Sequence, residues 1–143
     1  MSAQHLMKIL LVEDSVADIE LTLEALDDSE IPNEVTVVRD GAAAMIHLRT
    51  TATGPARPDL VILDLNLPRM SGHEVLAAMR EDDDLRRMPV AILSTSSAEA
   101  DVVRTYDLGA NCYLTKPVDV EQFVHVVRSI EDFWLGLVRL PRQ

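Results

Sequence analysis

Four short groups of chemically competent side chains each follow directly on an apolar run. Glu13-Asp14 follows Ile9-Leu10-Leu11-Val12, and Asp64 follows Leu60-Val61-Ile62-Leu63. Ser94-Thr95-Ser96 follows Val90-Ala91-Ile92-Leu93, and Thr115-Lys116-Pro117 follows Cys112-Tyr113-Leu114. Three carboxylates brought together repel and raise one another's pKa. A divalent cation relieves that repulsion. An all-oxygen ligand set favours a hard ion such as Mg²⁺, which keeps several waters and takes only one or two carboxylates. Lys116 adds a positive charge, and the hydroxyls add donors. Such a set suits a phosphoryl group. Cation and ammonium stabilise charge on its equatorial oxygens, and a carboxylate can be the nucleophile that accepts it. The phosphate-cradling patterns G-x-x-x-x-G-K-[ST] and G-x-G-x-x-G are both absent. The donor is therefore expected to be another protein or a small phosphodonor, not ATP held by the chain.

These groups meet only if the apolar runs are neighbours in one sheet. The stretches between the runs carry helical signals. Ser15 offers an N-cap with Asp18 in the first turn, and Val16, Ile19, Leu23 and Leu26 follow at helical spacing. A strand is expected over Val35 to Val38, and Asp40-Gly41 opens a helix from Ala42 to Leu48. Ser71-Gly72-His73-Glu74 reads as a capping box for a helix through Met79, and Ser96-Ser97-Ala98-Glu99 as another. Gly109 stops the fourth helix, and a long last helix begins near Asp119. Strands alternating with helices imply a parallel sheet with right-handed crossovers and helices on both faces. The expected fold is flavodoxin-like α/β: a doubly wound five-stranded parallel sheet, order 2-1-3-4-5, with five helices and an extended C-terminal helix and tail. A site then lies at the carboxyl ends of the strands, near the switch point between strands 1 and 3. One domain is expected over 1–143, with a core of about 8–130 and an extension of about 131–143.

The formal net charge is −11. That speaks against direct nucleic-acid binding, which needs clustered Lys and Arg to displace counterions. It is compatible with a metal site or with basic protein partners. No apolar run reaches roughly 18 residues, so no membrane span is expected. The start, Met1-Ser2-Ala3-Gln4-His5, lacks the charged-then-apolar pattern of a leader, so a cytoplasmic location is expected. The lone Cys112 excludes an intramolecular disulfide and reads as a small buried hydrophobe. The run Glu81-Asp82-Asp83-Asp84 reads as a solvated loop.

Val12-Glu13-Asp14, Leu63-Asp64-Leu65-Asn66-Leu67-Pro68, the Ser94-Thr95 strand end and Tyr113-Leu114-Thr115-Lys116-Pro117 resemble the signature blocks of bacterial response-regulator receiver domains. The resemblance runs from about Lys8 to about Ile130, and the spacings from Asp64 to Ser94 and from Ser94 to Lys116 match without gaps. It implies that Asp64 accepts the phosphoryl group in a Mg²⁺- or Mn²⁺-dependent reaction. Glu13, Asp14, Asp64 and the backbone carbonyl of Asn66 hold the metal, directly or through water. Lys116 pairs with the phosphoryl oxygens, and Pro117 follows it through a cis bond. The switch hydroxyl is that of Ser94 or of its neighbour Thr95, and Tyr113 is the aromatic switch. The chain departs from the more usual pattern in having Glu-Asp for Asp-Asp and Ser for Thr.

Two other functions fit these residues less well. A phosphatase with an aspartyl nucleophile places a second Asp two residues later, where this chain has Asn66, which cannot exchange a proton. A receiver-shaped interaction module without phosphate chemistry would not need the acids and Lys116.

The last helix is unusually apolar. Val120, Phe123, Val127, Ile130, Trp134 and Leu137 form one stripe. Val124, Val126, Phe133, Leu135 and Val138 add apolar surface beside it. Three of the five aromatic residues, Phe123, Phe133 and Trp134, lie here, and aromatics are enriched at interfaces. Either the extension folds back on its own domain, or it pairs with its copy. A homodimer through Phe123, Val127, Phe133, Trp134 and Leu137 is the expected arrangement. The tail Phe133-Trp134 and Val138-Arg139-Leu140-Pro141 also resembles stand-alone receivers that partner phytochrome-type histidine kinases. That implies a cognate light-sensing histidine kinase, with output through a downstream protein or a phosphotransfer protein.

Overall fold

The computed structural model describes residues 6–95 and 99–128. In chain order the elements are β1 (Met7–Val12), α1 (Val16–Asp28), β2 (Asn33–Val38), α2 (Gly41–Thr51), β3 (Leu60–Asp64), α3 (Gly72–Glu81), β4 (Val90–Ser94), α4 (Glu99–Asp107) and β5 (Cys112–Thr115). Residues 120–128 are helical and form α5. All strand pairs are parallel, in the order β2-β1-β3-β4-β5. The flavodoxin-like expectation holds.

Alternation along each strand sends side chains to two separate cores. Leu10, Val12, Val61, Leu63, Val90 and Ile92 pack with Ala44, Met45 and Leu48 of α2 and Val75, Leu76 and Met79 of α3. Ile9, Leu11, Leu60, Ile62, Ala91 and Leu93 face the other way, onto Ala25 and Leu26 of α1 and Phe123, Val126 and Val127 of α5. The central strands are covered on both faces, which is why β3 and β4 read as unbroken apolar runs. The edge strand β2 alternates between half-buried and exposed positions.

The starts of α1, α2, α3 and α5 are fixed by the side chains expected to fix them. Ser15 Oγ accepts from the Asp18 N–H at 3.3 Å, and Asp40 Oδ1 from the Ala43 N–H at 2.7 Å. Ser71 and Glu74 form a reciprocal capping box. Asp119 Oδ1 accepts from the Gln122 N–H at the start of α5. Gly109 ends the α4 turn with φ +93°, a left-handed conformation open to glycine.

The last helix corrects the sequence reading. Phe123 and Val127 are 0% and 1% exposed, packed inside the protomer's own core, so neither side chain is available to a partner. Val126, expected beside the core stripe, is part of the core as well. Phe123, Val126 and Val127 share one core with the strands and with Ala25 and Leu26 of α1, so more than one element covers them. Phe133, Trp134 and Leu137, and Ser96-Ser97-Ala98 of the second expected capping box, lie outside the described residues.

Candidate functional site

The ends of β1, β3, β4 and β5 converge at one edge of the sheet. Leu63 lies beside Val12, and Asp64 pairs with Leu93 in the next strand. The site is thus built by register: each strand stops where its polar residue reaches the edge. Behind Asp64 the chain turns back closely. The Gly72 N–H donates to Leu65 O at 3.0 Å, and the helix α3 that starts there has its first residue against the Asp64 backbone.

Ligand oxygens of Glu13, Asp14 and Asp64 all lie within 4.8 Å of one another. Glu13 is fully buried and Asp64 nearly so, while Asp14 faces solvent. Two buried carboxylates this close repel by about 3 kcal/mol at an effective dielectric of about 20. Lys116 offsets part of that repulsion. Its Nζ lies 2.6 Å from Glu13 Oε1, 2.9 Å from Asp18 Oδ2 and 3.1 Å from Asp64 Oδ2. Burial alone would lower the pKa of this ammonium, but the bonds to Glu13 and Asp18 and the charge of Asp64 hold it above the ordinary lysine value. Lys116 therefore stays charged. Glu13 shifts upward: burial is the main cause and Asp64 adds to it, while Lys116 and the Ser15 N–H act against it.

The backbone around these groups is pinned. Glu13 Oε2 accepts from the Ser15 N–H at 3.1 Å, and Asp64 Oδ1 from the Asn66 N–H at 3.2 Å. Arg39 donates to the carbonyl of Asp14 at 2.8 Å, which fixes the peptide that carries Asp14. The Lys116 N–H donates to Ser94 O at 2.9 Å, tying the end of β5 to the end of β4. The Lys116-Pro117 bond is cis.

Three carboxylates face the Lys116 ammonium and Asp14 adds a fourth negative charge beside them, so the site is strongly negative. Glu13 Oε1 fits a cation in particular. It is buried, and its neighbour is the Lys116 ammonium at 2.6 Å, a positive charge whose place a metal ion could share. The oxygen-only donor set suits Mg²⁺ or Mn²⁺.

The strand-end residues singled out in the sequence fall at this edge as follows. Glu13, Asp14, Asp64 and Lys116 come together. Asn66 is exposed on the loop after Asp64. Ser94 is buried, and Thr95 beside it is exposed. Ile92 pairs with Tyr113 and Ser94 with Thr115, so Ser94 and Tyr113 lie on one face of the sheet. Tyr113 is half-buried there against the core shared with α2 and α3. In the sequence Asp18 marks only a helix start. Its position in the first turn after an acidic strand end was the available signal, but its partner Lys116 is distant in sequence.

A doubly wound α/β protein with an acidic, lysine-braced site at its switch point is the class that fold and geometry define. The family model described as response regulator receiver domain matches residues 9–128, and the chain belongs to that family. It is 47% identical over 135 residues to response regulator Rcp1 of Synechocystis sp., covering 93% of this chain and 92% of that protein. Among solved structures it is similar to the phosphorylated cyanobacterial phytochrome response regulator RcpA, with TM-score 0.73 and 49% identity over 93% of this chain and 96% of that one. The Mn²⁺-bound form of Rcp1 matches with TM-score 0.70 and 47% identity, covering 90% and 94%. The chain is a signalling receiver and not an enzyme of the usual kind.

Proposed function

We propose that the chain is a single-domain response regulator that takes a phosphoryl group from a histidine kinase onto Asp64. The observation that carries this reading is the placement of the Asp64 carboxylate, inside the Glu13-Asp14-Asp64 cluster and 3.1 Å from Lys116 Nζ. In the reaction, a carboxylate oxygen of Asp64 forms a bond to phosphorus. The P–N bond to the donor imidazole breaks, and its electron pair stays on that nitrogen. An ionised Asp64 has no proton to lose. Lys116 neutralises charge on the incoming oxygens. Glu13, Asp14, Asp64 and the Asn66 carbonyl would hold Mg²⁺ or Mn²⁺, which supplies further charge stabilisation on the transferring group.

Ser94, or Thr95 next to it, then supplies the hydroxyl that meets the phosphoryl group. Tyr113 shares a face of the sheet with Ser94 and is the residue whose packing would respond. The likeness to phytochrome response regulators supports a phytochrome-type kinase as donor. Output goes to a downstream protein or a phosphotransfer protein, from a homodimer built on the C-terminal helix and tail. Among the described residues no helix is long and apolar enough to cross a membrane, which supports a cytoplasmic setting.

The test is labelling with acetyl phosphate or a phosphorylated kinase in the presence of Mg²⁺. One acyl phosphate should form on Asp64, and Asp64→Asn should abolish it. Undiminished labelling of that variant at another residue would overturn the assignment.

A further inference from the structure

The ammonium of Lys116 has three N–H groups and faces three carboxylate oxygens, those of Glu13, Asp18 and Asp64. Two of these partners, Glu13 and Asp64, belong to the cluster that would take a cation. A cation there and the ammonium compete for the same oxygens. Asp18 stands outside that cluster. Its carboxylate is about one-third exposed (32%), whereas Lys116 is 10% exposed.

The carboxylate of Asp18 is not what caps its helix. The cap is made by its backbone N–H, which donates to Ser15 Oγ at 3.3 Å, and the next turn is closed by the Ile19 N–H on Ser15 O at 2.9 Å. The first turn of α1 is therefore held by Ser15, and it presents the Asp18 carboxylate to Lys116 from a fixed backbone.

We infer that Asp18 is a positioning residue for Lys116. It draws the ammonium off Glu13 and Asp64 when a cation enters, and it keeps the ammonium beside Asp64 for the oxygens of the transferring group. One N–H on Asp18 leaves two for those oxygens. The inference rests on the phosphoryl-acceptor reading above and adds a residue to it.

A double-mutant cycle on Mg²⁺ affinity tests it without any phosphoryl donor. Mg²⁺ is titrated by calorimetry into the full chain as wild type, Asp18→Ala, Lys116→Ala and the double variant. Asp18→Ala alone should weaken Mg²⁺ binding by about 3- to 10-fold, because Lys116 then leans on the metal's oxygens. In the Lys116→Ala background the same change should cost less than about twofold, since the direct loss of one charge is common to both backgrounds. An equal loss in both backgrounds overturns the inference.

Labelling by acetyl phosphate at saturating Mg²⁺ gives a second readout that does not depend on Lys116→Ala folding. Asp18→Ala should be slowed several-fold, and Asp18→Glu should recover most of the rate. An undiminished rate in Asp18→Ala overturns the inference too. A wild-type chain that takes no label on Asp64 would instead refute the underlying reading, and the Mg²⁺ cycle would still report on Asp18.

Discussion

Gly72 and Asp64 touch through their backbones: a Cβ placed on Gly72 would lie 2.3 Å from the Asp64 carbonyl oxygen. The neighbour it would meet is main chain, which cannot swing aside. The start of α3 and Asp64, the proposed acceptor, are thus one packed unit, and the close approach requires glycine.

Gly72→Ala should therefore destabilise the protein by about 1–3 kcal/mol, the usual range for forcing a methyl into a filled space. It should also slow labelling of Asp64, because the backbone that must shift is that of the acceptor. Gly54, with nothing within 4 Å of its would-be Cβ, is the control. Gly54→Ala should leave both stability and labelling near wild type. Denaturant midpoints and labelling rates of the two variants check this. Equal behaviour of the pair would refute the packing argument.

Metal dependence is expected to be strict. Labelling of Asp64 should stop with EDTA and return with Mg²⁺ or Mn²⁺. Asp14 is exposed, so Asp14→Ala should cost little stability, yet it removes one of few protein ligands. Calorimetry should find Mg²⁺ affinity lowered by about tenfold or more, comparable to other losses at metal sites. Wild-type affinity in this variant would take Asp14 out of the metal site.

Most of the fold is legible in the sequence because the central strands are covered twice. Ile9 to Val12, Leu60 to Leu63 and Val90 to Leu93 cannot face water on either side, so each is an apolar run. The edge strand β2 is less legible. It starts at Asn33, two residues before the expected Val35, because its pairing with β1 starts at Met7 opposite Asn33, where no apolar pattern marks it. The site acids are legible because strand ends carry them. Asp18 is not, since its role depends on Lys116, 98 positions away. The last helix misleads for a related reason. Periodicity gives the width of an apolar stripe but not how many surfaces cover it, and Phe123, Val126 and Val127 are all covered by their own domain.

Burial raises the thiol pKa of Cys112 above its ordinary 9.0. The thiolate is the reactive form, so the folded protein should resist alkylation at pH 8 and the unfolded protein should not. The sign for stability follows from proton binding. Between the ordinary thiol pKa and the raised one, the folded state keeps a proton that the unfolded state has lost. This contribution to stability is intact below the ordinary value and is lost as pH rises through the raised one. Cys112→Ala should flatten that part of the stability profile. The thiol is half-buried, not enclosed as the sequence suggests, and alkylation of the native protein as fast as that of the unfolded protein at pH 8 would contradict the upward shift.

The homodimer now has a narrower basis than the whole apolar helix. Phe123 and Val127 are committed to the protomer core, so the proposed dimer would rest on Phe133, Trp134 and Leu137. On α5 itself, Val120 and Val124 are half-buried and line a cleft with Ile31. They can flank such a contact but offer little area alone. A two-fold pairing buries the same patch on both chains, and burial gains about 25 cal/mol per Å² of apolar surface. Wild type should therefore sediment as a dimer at tens of micromolar. Phe133→Ala combined with Trp134→Ala should sediment as a folded monomer with unchanged far-UV circular dichroism. Phe123→Ala should behave differently, losing stability by about 3–5 kcal/mol as a core truncation does. A monomeric wild type at high micromolar concentration would refute the dimer. General unfolding of the Phe133 and Trp134 variant would assign both aromatics to the protomer's own core, as the structure does for Phe123.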